Sequence, residues 1–144
     1  MGVKIAPMAP RKLDGFDAPK LEALVETMIL AARADGDFSA EERAHFATSV
    51  ESLTDRHVEG LASQTLIADI EKKIADEGRE ARLASVKARL ADPESRTVAL
   101  ELAVALMASD GLLRTSEREL VMEVAEALEI DRDAAADIVA RNHP

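Results

Sequence analysis

The chain has 144 residues, 47% of them apolar, and a formal net charge of −10, which together predict one folded domain with a sizeable core. It contains no cysteine, so disulfides, thiolate zinc sites and a cysteine nucleophile are excluded. The negative charge disfavours binding to nucleic acid or anionic lipid and favours cations or basic protein surfaces as partners.

The N-terminal segment, residues 1–16, contains Pro7, Pro10 and Gly15 without any apolar period. We therefore predict a flexible N-terminal arm over 1–16 and a helical domain over 17–144. No apolar stretch in the arm is long enough for a signal peptide. The longest apolar run, residues 98–108, is interrupted by Glu101 and is far shorter than the roughly 20 residues of a membrane-spanning helix. We expect a cytoplasmic protein with no direct membrane insertion.

The domain begins with a predicted helical hairpin that turns through a short acidic loop. Asp17 can cap a first helix that runs to Ala34, and Gly36 can end it by adopting positive φ. Ser39 and Glu42 then have the spacing of a capping box at the start of a second helix.

Five further helices follow from apolar periodicity and capping residues. They are predicted from Thr54 or Asp55 to Gly78, over about 80–91, 93–109 and 115–128, and in a short last segment after Asp131. The first of these has a drifting stripe near Gly60 and Ser63, which allows a break there. The segment 93–109 is apolar nearly all round, which is typical of a helix in the middle of a bundle.

The acidic loop has a second copy further along the chain, and the two align without a gap. The matched positions include Asp35 with Asp110, Gly36 with Gly111, Glu42 with Glu117, and Glu26 with Glu101. Self-similarity at a fixed offset indicates a duplicated unit. We therefore predict an all-α bundle of about seven helices, built from two pseudo-symmetric halves that each contain a helical hairpin.

Three carboxylates, Asp35, Asp37 and Glu42, lie around the first loop. Oxygen ligands of this kind suit a hard cation such as calcium or magnesium. The spacing does not match a calcium EF-hand loop, because Arg33 would occupy its first ligand position and its central glycine is missing. Turn formation and helix capping explain the same three residues without a metal, so both interpretations stay open.

The second loop is a poorer candidate for a cation site. Leu112 stands where the first loop has Asp37, and Arg114 stands where it has Ser39. A capping box in this register therefore does not account for Glu117, although a shifted box formed by Ser116 and Glu119 is an alternative cap. The chain contains no nucleophile elbow, phosphate loop or dinucleotide fingerprint, so we expect a non-enzymatic protein.

The paired motifs Ala-Asp-Gly-Asp-Phe-Ser-Ala-Glu-Glu, from residue 34, and Ser-Asp-Gly-Leu-Leu-Arg-Thr-Ser-Glu-Arg-Glu-Leu, from residue 109, resemble those of the TerB family. These are tellurite-resistance proteins, similar also to the TerB-like domain of DnaJ-type cochaperones. The resemblance covers about residues 20–140. It implies an all-helical bundle and a non-enzymatic bacterial stress-response protein with suspected metal binding, which works near the inner membrane with partner proteins.

Carried over residue by residue, the resemblance implies metal-binding roles for Asp35, Asp37, Glu42, Asp110 and Glu117. Turn formation and helix capping give Gly36, Ser39 and Gly111 turn or cap roles. Our leading hypothesis is a module that binds a divalent cation, calcium or magnesium, or a basic partner surface through these loops. The alternative is a metal-free interaction scaffold, in which the loops are only caps and an exposed apolar patch recruits the partner.

Overall fold

The computed structural model describes residues 18–32, 40–53, 60–108 and 115–141, and within them the chain forms helices and no strand. The seven helices are α1 (Ala18–Ala32), α2 (Ala40–Leu53), α3 (Gly60–Glu77), α4 (Arg79–Arg89), α5 (Pro93–Ala108), α6 (Thr115–Ala127) and α7 (Arg132–Arg141). This confirms the predicted all-α class. The N-terminal arm 1–16 and the cap residue Asp17 lie outside the described residues.

The two halves of the chain begin their helices at equivalent positions. The first residues of α1 and α5, Ala18 and Pro93, are separated in sequence by the same interval as Ala40 and Thr115, the first residues of α2 and α6. This interval is also the one that separates Asp35 from Asp110, so the loop motifs and the helical hairpins share one offset. The second half continues with the short α7, whereas the first continues with α3 and α4.

The equivalent helices α1 and α5 pack against each other in the middle of the bundle. The helix α1 also contacts α4 and α6, and α5 also contacts α2, α6 and α7. The central place of α5 agrees with its nearly all-round apolar sequence. In α1 every residue over 23–31 is buried, so the helix is covered on all sides, although its sequence predicts only an apolar stripe.

The helix ends explain how the chain turns between elements. Asp92 caps α5 by accepting a hydrogen bond from the backbone N–H of Ser95 at 3.0 Å, and Pro93 takes the first helical position as predicted. Asp131 caps α7 in the same way, because its carboxylate accepts a bond from the backbone N–H of Ala134 at 3.1 Å. Gly78, with φ of 93°, forms the sharp connection between α3 and α4.

The outer helices bury most of the predicted side chains. Leu83, Val86 and Leu90 at α4 are buried as predicted, and α3 runs unbroken from Gly60, so no break occurs at Ser63. In α3 the fully buried side chain is Ile67, whereas the predicted Leu66 is half-buried. None of the described helices has both the length and the apolar character needed to cross a membrane.

Candidate functional site

The predicted acidic loops fall largely in parts of the chain that the structure does not describe. Asp35, Gly36, Asp37, Ser39, Asp110 and Gly111 all lie outside the described residues. The backbone of Glu42 is described but its side chain is not, and Glu117 is described and half-buried. Metal binding by these residues therefore remains a prediction.

The structure does place the two glutamates of the motif in the same helical position. Glu42 is the third residue of α2, and Glu117 is the third residue of α6. Both therefore stand in the first turn of a helix, where the free backbone N–H groups favour a negative charge. The first turns of α2 and α6, which follow the two acidic loops in the chain, therefore carry the motif glutamate at the same position.

The start of α6 lies next to the residues considered as caps for the second loop. The helix begins at Thr115, which places Ser116 and Glu119 within its first turns. Because residues 109–114 lie outside the described residues, the shifted capping box of Ser116 and Glu119 stays a prediction. The residue before the helix is Arg114, whose side chain has no acceptor oxygen for the free N–H groups. In the sequence, the position before the helix is therefore a possible cap in the first half, Ser39, and not in the second.

Within the described residues, no group of three His, Asp or Glu side chains could hold a metal ion. The carboxylates on the outer faces of α3, α6 and α7 are too dispersed to supply a coordination shell, which for calcium needs six or more oxygens. The predicted cation ligands Asp35, Asp37 and Asp110 lie outside the described residues.

A buried ionic cluster that the sequence did not reveal joins α1 to α4. Glu26 is 0% exposed, and its two carboxylate oxygens accept bonds from Arg82 Nε at 2.6 Å and Arg82 Nη2 at 2.9 Å. Arg89 Nη2 donates a further bond to Glu26 at 2.5 Å, and Arg82 Nη1 donates to Glu77 at 3.0 Å. The two arginines balance the two carboxylates, so the cluster carries no net charge.

The cluster is well suited to fixing two helices rather than to binding a ligand. Arg82 and Glu26 meet in a bidentate pair, the strongest arrangement for these two groups. The hydrogen bond to Glu26 is the largest cause of a raised pKa for Arg82, although burial acts in the opposite direction. The spacing of Arg82 and Arg89, two helical turns apart on the side of α4 that carries Leu83, Val86 and Leu90, indicates that both arginines face the core. It does not identify Glu26 as their partner.

A second polar junction holds the start of α5 against the ends of α4 and α6. Arg96 donates to the backbone carbonyls of Leu90 at 2.5 Å, Lys87 at 3.1 Å and Leu128 at 3.2 Å. These carbonyls belong to the last turn of α4 and the end of α6, where carbonyl groups have no backbone N–H of the same helix to bind. One guanidinium therefore closes two helix ends at once.

Two carboxylates complete this junction. The side-chain and backbone hydrogen bonds from Ser95 lower the pKa of Asp92 to about 2, with a smaller contribution from Lys20 at 3.2 Å. The ammonium of Lys87, 2.8 Å away, lowers the pKa of Glu129. The charges of this region are thus satisfied within the protein, as expected of a structural junction.

The outer surface of α6 carries a groove that is a candidate for binding. A cavity of about 650 Å³ lies along this helix, and a neighbouring one of about 480 Å³ lies between α6 and α7. Met122 and Arg118 line both cavities. The floor between the helices is apolar, with Ala136, Val139 and Ala140, whereas the outer rim is charged.

Comparison with known proteins identifies one family. A family model described as "Tellurite resistance protein TerB" matches residues 21–140, which include all seven described helices except for the ends of α1 and α7. No curated protein and no solved structure matches the chain. The matched family is all-α and is not a known enzyme family.

Proposed function

Because that model covers residues 21–140, the chain belongs to the TerB family of tellurite resistance proteins, and we propose that it is a non-enzymatic stress-response protein that binds divalent cations through its acidic loops. The observation that carries this proposal is the equivalence of the first turns of α2 and α6, each of which follows an acidic loop in the chain. Glu42 and Glu117 are each the third residue of a helix, and these two helices start at equivalent positions of the repeat.

The donor chemistry of the first loop supports a hard cation. Asp35, Asp37 and Glu42 supply only oxygens, and calcium and magnesium prefer oxygen ligands. The chain has no cysteine, so it offers no thiolate ligand of the kind that soft metals prefer. Leu112 in the second loop removes one donor, so we expect the first loop to be the tighter site.

The same loops offer a surface for a basic protein partner. A chain with a net charge of −10 attracts basic surfaces over several ångströms, and a bound cation would alter the local charge that such a partner meets. We propose that the protein works in the cytoplasm of a bacterium, with a partner that brings it to the inner membrane.

Isothermal titration calorimetry with calcium, magnesium, manganese and zinc tests the cation proposal. We expect a binding heat with calcium or magnesium that is lost in Asp35→Asn and in Glu42→Gln. Asp76→Asn is the matched control, because Asp76 is an exposed carboxylate on α3 and is distant in sequence from both loops. No heat at millimolar metal, or equal binding by all four proteins, rejects the proposal.

A metal-free interaction scaffold is the second candidate, and the apolar groove between α6 and α7 favours it. In that case Asp35, Asp37 and Glu42 serve only as turn and cap residues. A partner complex that survives neutralisation of both loops, but is lost when a groove residue is changed to aspartate, would support the scaffold and not the cation-binding module.

A further inference from the structure

The outer face of α6 has a charge pattern that is its own complement. Met122 is half-buried at the middle of this face, and Arg118 and Glu126, both exposed, lie four residues before and after it. Four residues are about one helical turn, or 6 Å along the axis. The face therefore presents a positive group, an apolar group and a negative group at equal intervals.

The two flanking charges have no partner within the part of the chain that the structure describes. Neither Arg118 nor Glu126 makes an ion pair or a side-chain hydrogen bond there. The neighbouring carboxylate Glu123, in contrast, is bound to Arg79 of α4 at 2.9 Å. Arg118 and Glu126 are thus available for contacts with another molecule.

We propose that this face binds a second copy of the chain, with the two α6 helices antiparallel about a two-fold axis through Met122. In this arrangement Arg118 of each copy lies opposite Glu126 of the other, so that two equivalent ion pairs flank the centre. A two-fold interface requires such self-complementarity. The Met122 side chains meet at the axis, next to the small apolar residues Ala136 and Ala140 of α7, which leave room for them.

The charge pattern of α6 favours a second copy of the chain as the partner and an antiparallel orientation of the two α6 helices. A parallel pairing of the same helices would place Arg118 against Arg118 and Glu126 against Glu126, which is repulsive. Only the antiparallel pairing places Arg118 of each copy opposite Glu126 of the other. Glu119 and Arg132, which also line the groove, add one charge of each sign. Because both copies carry a net charge of −10, we expect a weak and reversible dimer.

Sedimentation velocity over a concentration series tests the proposal with the full chain. We expect Arg118→Glu and Glu126→Arg each to weaken dimerisation at least about tenfold, and the double variant Arg118→Glu/Glu126→Arg to recover it, because the exchanged charges again pair across the axis. Met122→Asp should abolish the dimer. Lys72→Glu and Asp76→Arg on α3 are the matched controls, since they make the same charge changes on exposed residues of another helix.

Three results would overturn the proposal. A wild type that stays monomeric at its highest soluble concentration excludes the dimer. In that case a photo-crosslinker at position 119 would test whether residues 1–17 bind the groove instead, because such binding would give an intramolecular product. A dimer that Met122→Asp leaves intact uses another face. A double charge exchange that dimerises no better than either single variant excludes the antiparallel pairing.

Discussion

Glu26 and Glu101 occupy equivalent positions in the two halves of the repeat, but only Glu26 is fully buried. Its carboxylate binds Arg82 and Arg89, whereas Glu101 is 20% exposed and has Arg141 at 3.8 Å. The difference arises because α4, which carries both arginines, has no counterpart in the second half. Only the first half therefore has a helix whose arginines pair with the repeated glutamate in the core.

Replacing Glu26 should therefore destabilise the protein strongly. Glu26→Gln keeps the shape of the side chain but leaves Arg82, which is only 9% exposed, beside a neutral group in the core. Removal of one partner from a buried ion pair typically costs about 3–5 kcal/mol. We expect a loss of this size in the free energy of unfolding, measured by urea denaturation.

The equivalent substitution in the other half is the matched control. Glu101→Gln removes a partly exposed charge whose arginine is 3.8 Å away, so we expect a loss of about 1 kcal/mol or less. Equal losses in the two variants would mean that burial of Glu26 by α4 contributes nothing beyond an ordinary surface interaction.

Arg96 should be sensitive even to a substitution that keeps its charge. Its three donated bonds need the planar, forked guanidinium, because they reach carbonyls of α4 and α6 in different directions. Lysine has a single ammonium and does not reproduce this geometry. We expect Arg96→Lys to lose about 2 kcal/mol of unfolding free energy, a large part of the loss in Arg96→Ala.

The comparison for this prediction is Arg132→Lys, which changes an exposed arginine at the start of α7 and should alter stability by less than about 0.5 kcal/mol. If Arg96→Lys were as stable as the wild type, the hydrogen bonds from Arg96 to the helix ends would contribute little. Hydrogen exchange at the last turn of α4 would locate the effect directly.

The helices could be predicted because their signals are local. Asp92 followed by Pro93, and Asp131 before a short apolar segment, mark helix starts in the sequence, and the structure has caps at both. The repeated offset likewise gave the equivalence of α1 with α5 and of α2 with α6. Capping and periodicity depend on residues within one or two helical turns of each other, so both can be recognised from the sequence without knowledge of the tertiary structure.

The buried polar contacts could not be predicted, because they depend on helix pairs that are far apart in sequence. Glu26 has the spacing of an ordinary polar position in an amphipathic helix, and its burial follows from the packing of α4 and α5 around α1. The apolar periodicity of the sequence likewise does not predict that Arg96 binds three backbone carbonyls. For the candidate cation site, the sequence supplies the donors and the structure supplies only the equivalent helical positions of Glu42 and Glu117.

Asp92 should make the protein more stable at neutral pH than in acid. Its pKa in the folded protein is about 2, below the ordinary value of 3.8, so folding favours the ionised form. This contribution is present above the ordinary pKa and is lost as the pH falls through about 2. The stability difference between wild type and Asp92→Asn should therefore shrink across this range, as measured by thermal unfolding.

The cause of that shift can be tested separately. The hydroxyl of Ser95 donates to Asp92 at 2.7 Å and is the largest cause of the low pKa. In Ser95→Ala we expect the pKa of Asp92 to move up towards its ordinary value, as measured by a carboxyl NMR titration. In Lys20→Met the rise should be smaller, because the ammonium makes the weaker contribution. A reversed order would contradict this assignment.

The difference between the two acidic loops gives a prediction that rests on the proposed cation binding. Leu112 occupies the place of Asp37, so the wild type should bind one cation per chain at the tighter first loop before the second loop is filled. Leu112→Asp restores the missing oxygen donor beside Asp110 and Glu117, and we expect the stoichiometry in calorimetry to rise towards two. Leu113→Asp adds the same charge one residue away and serves as the control. If both variants gained binding equally, general electrostatic attraction and not coordination would explain the effect.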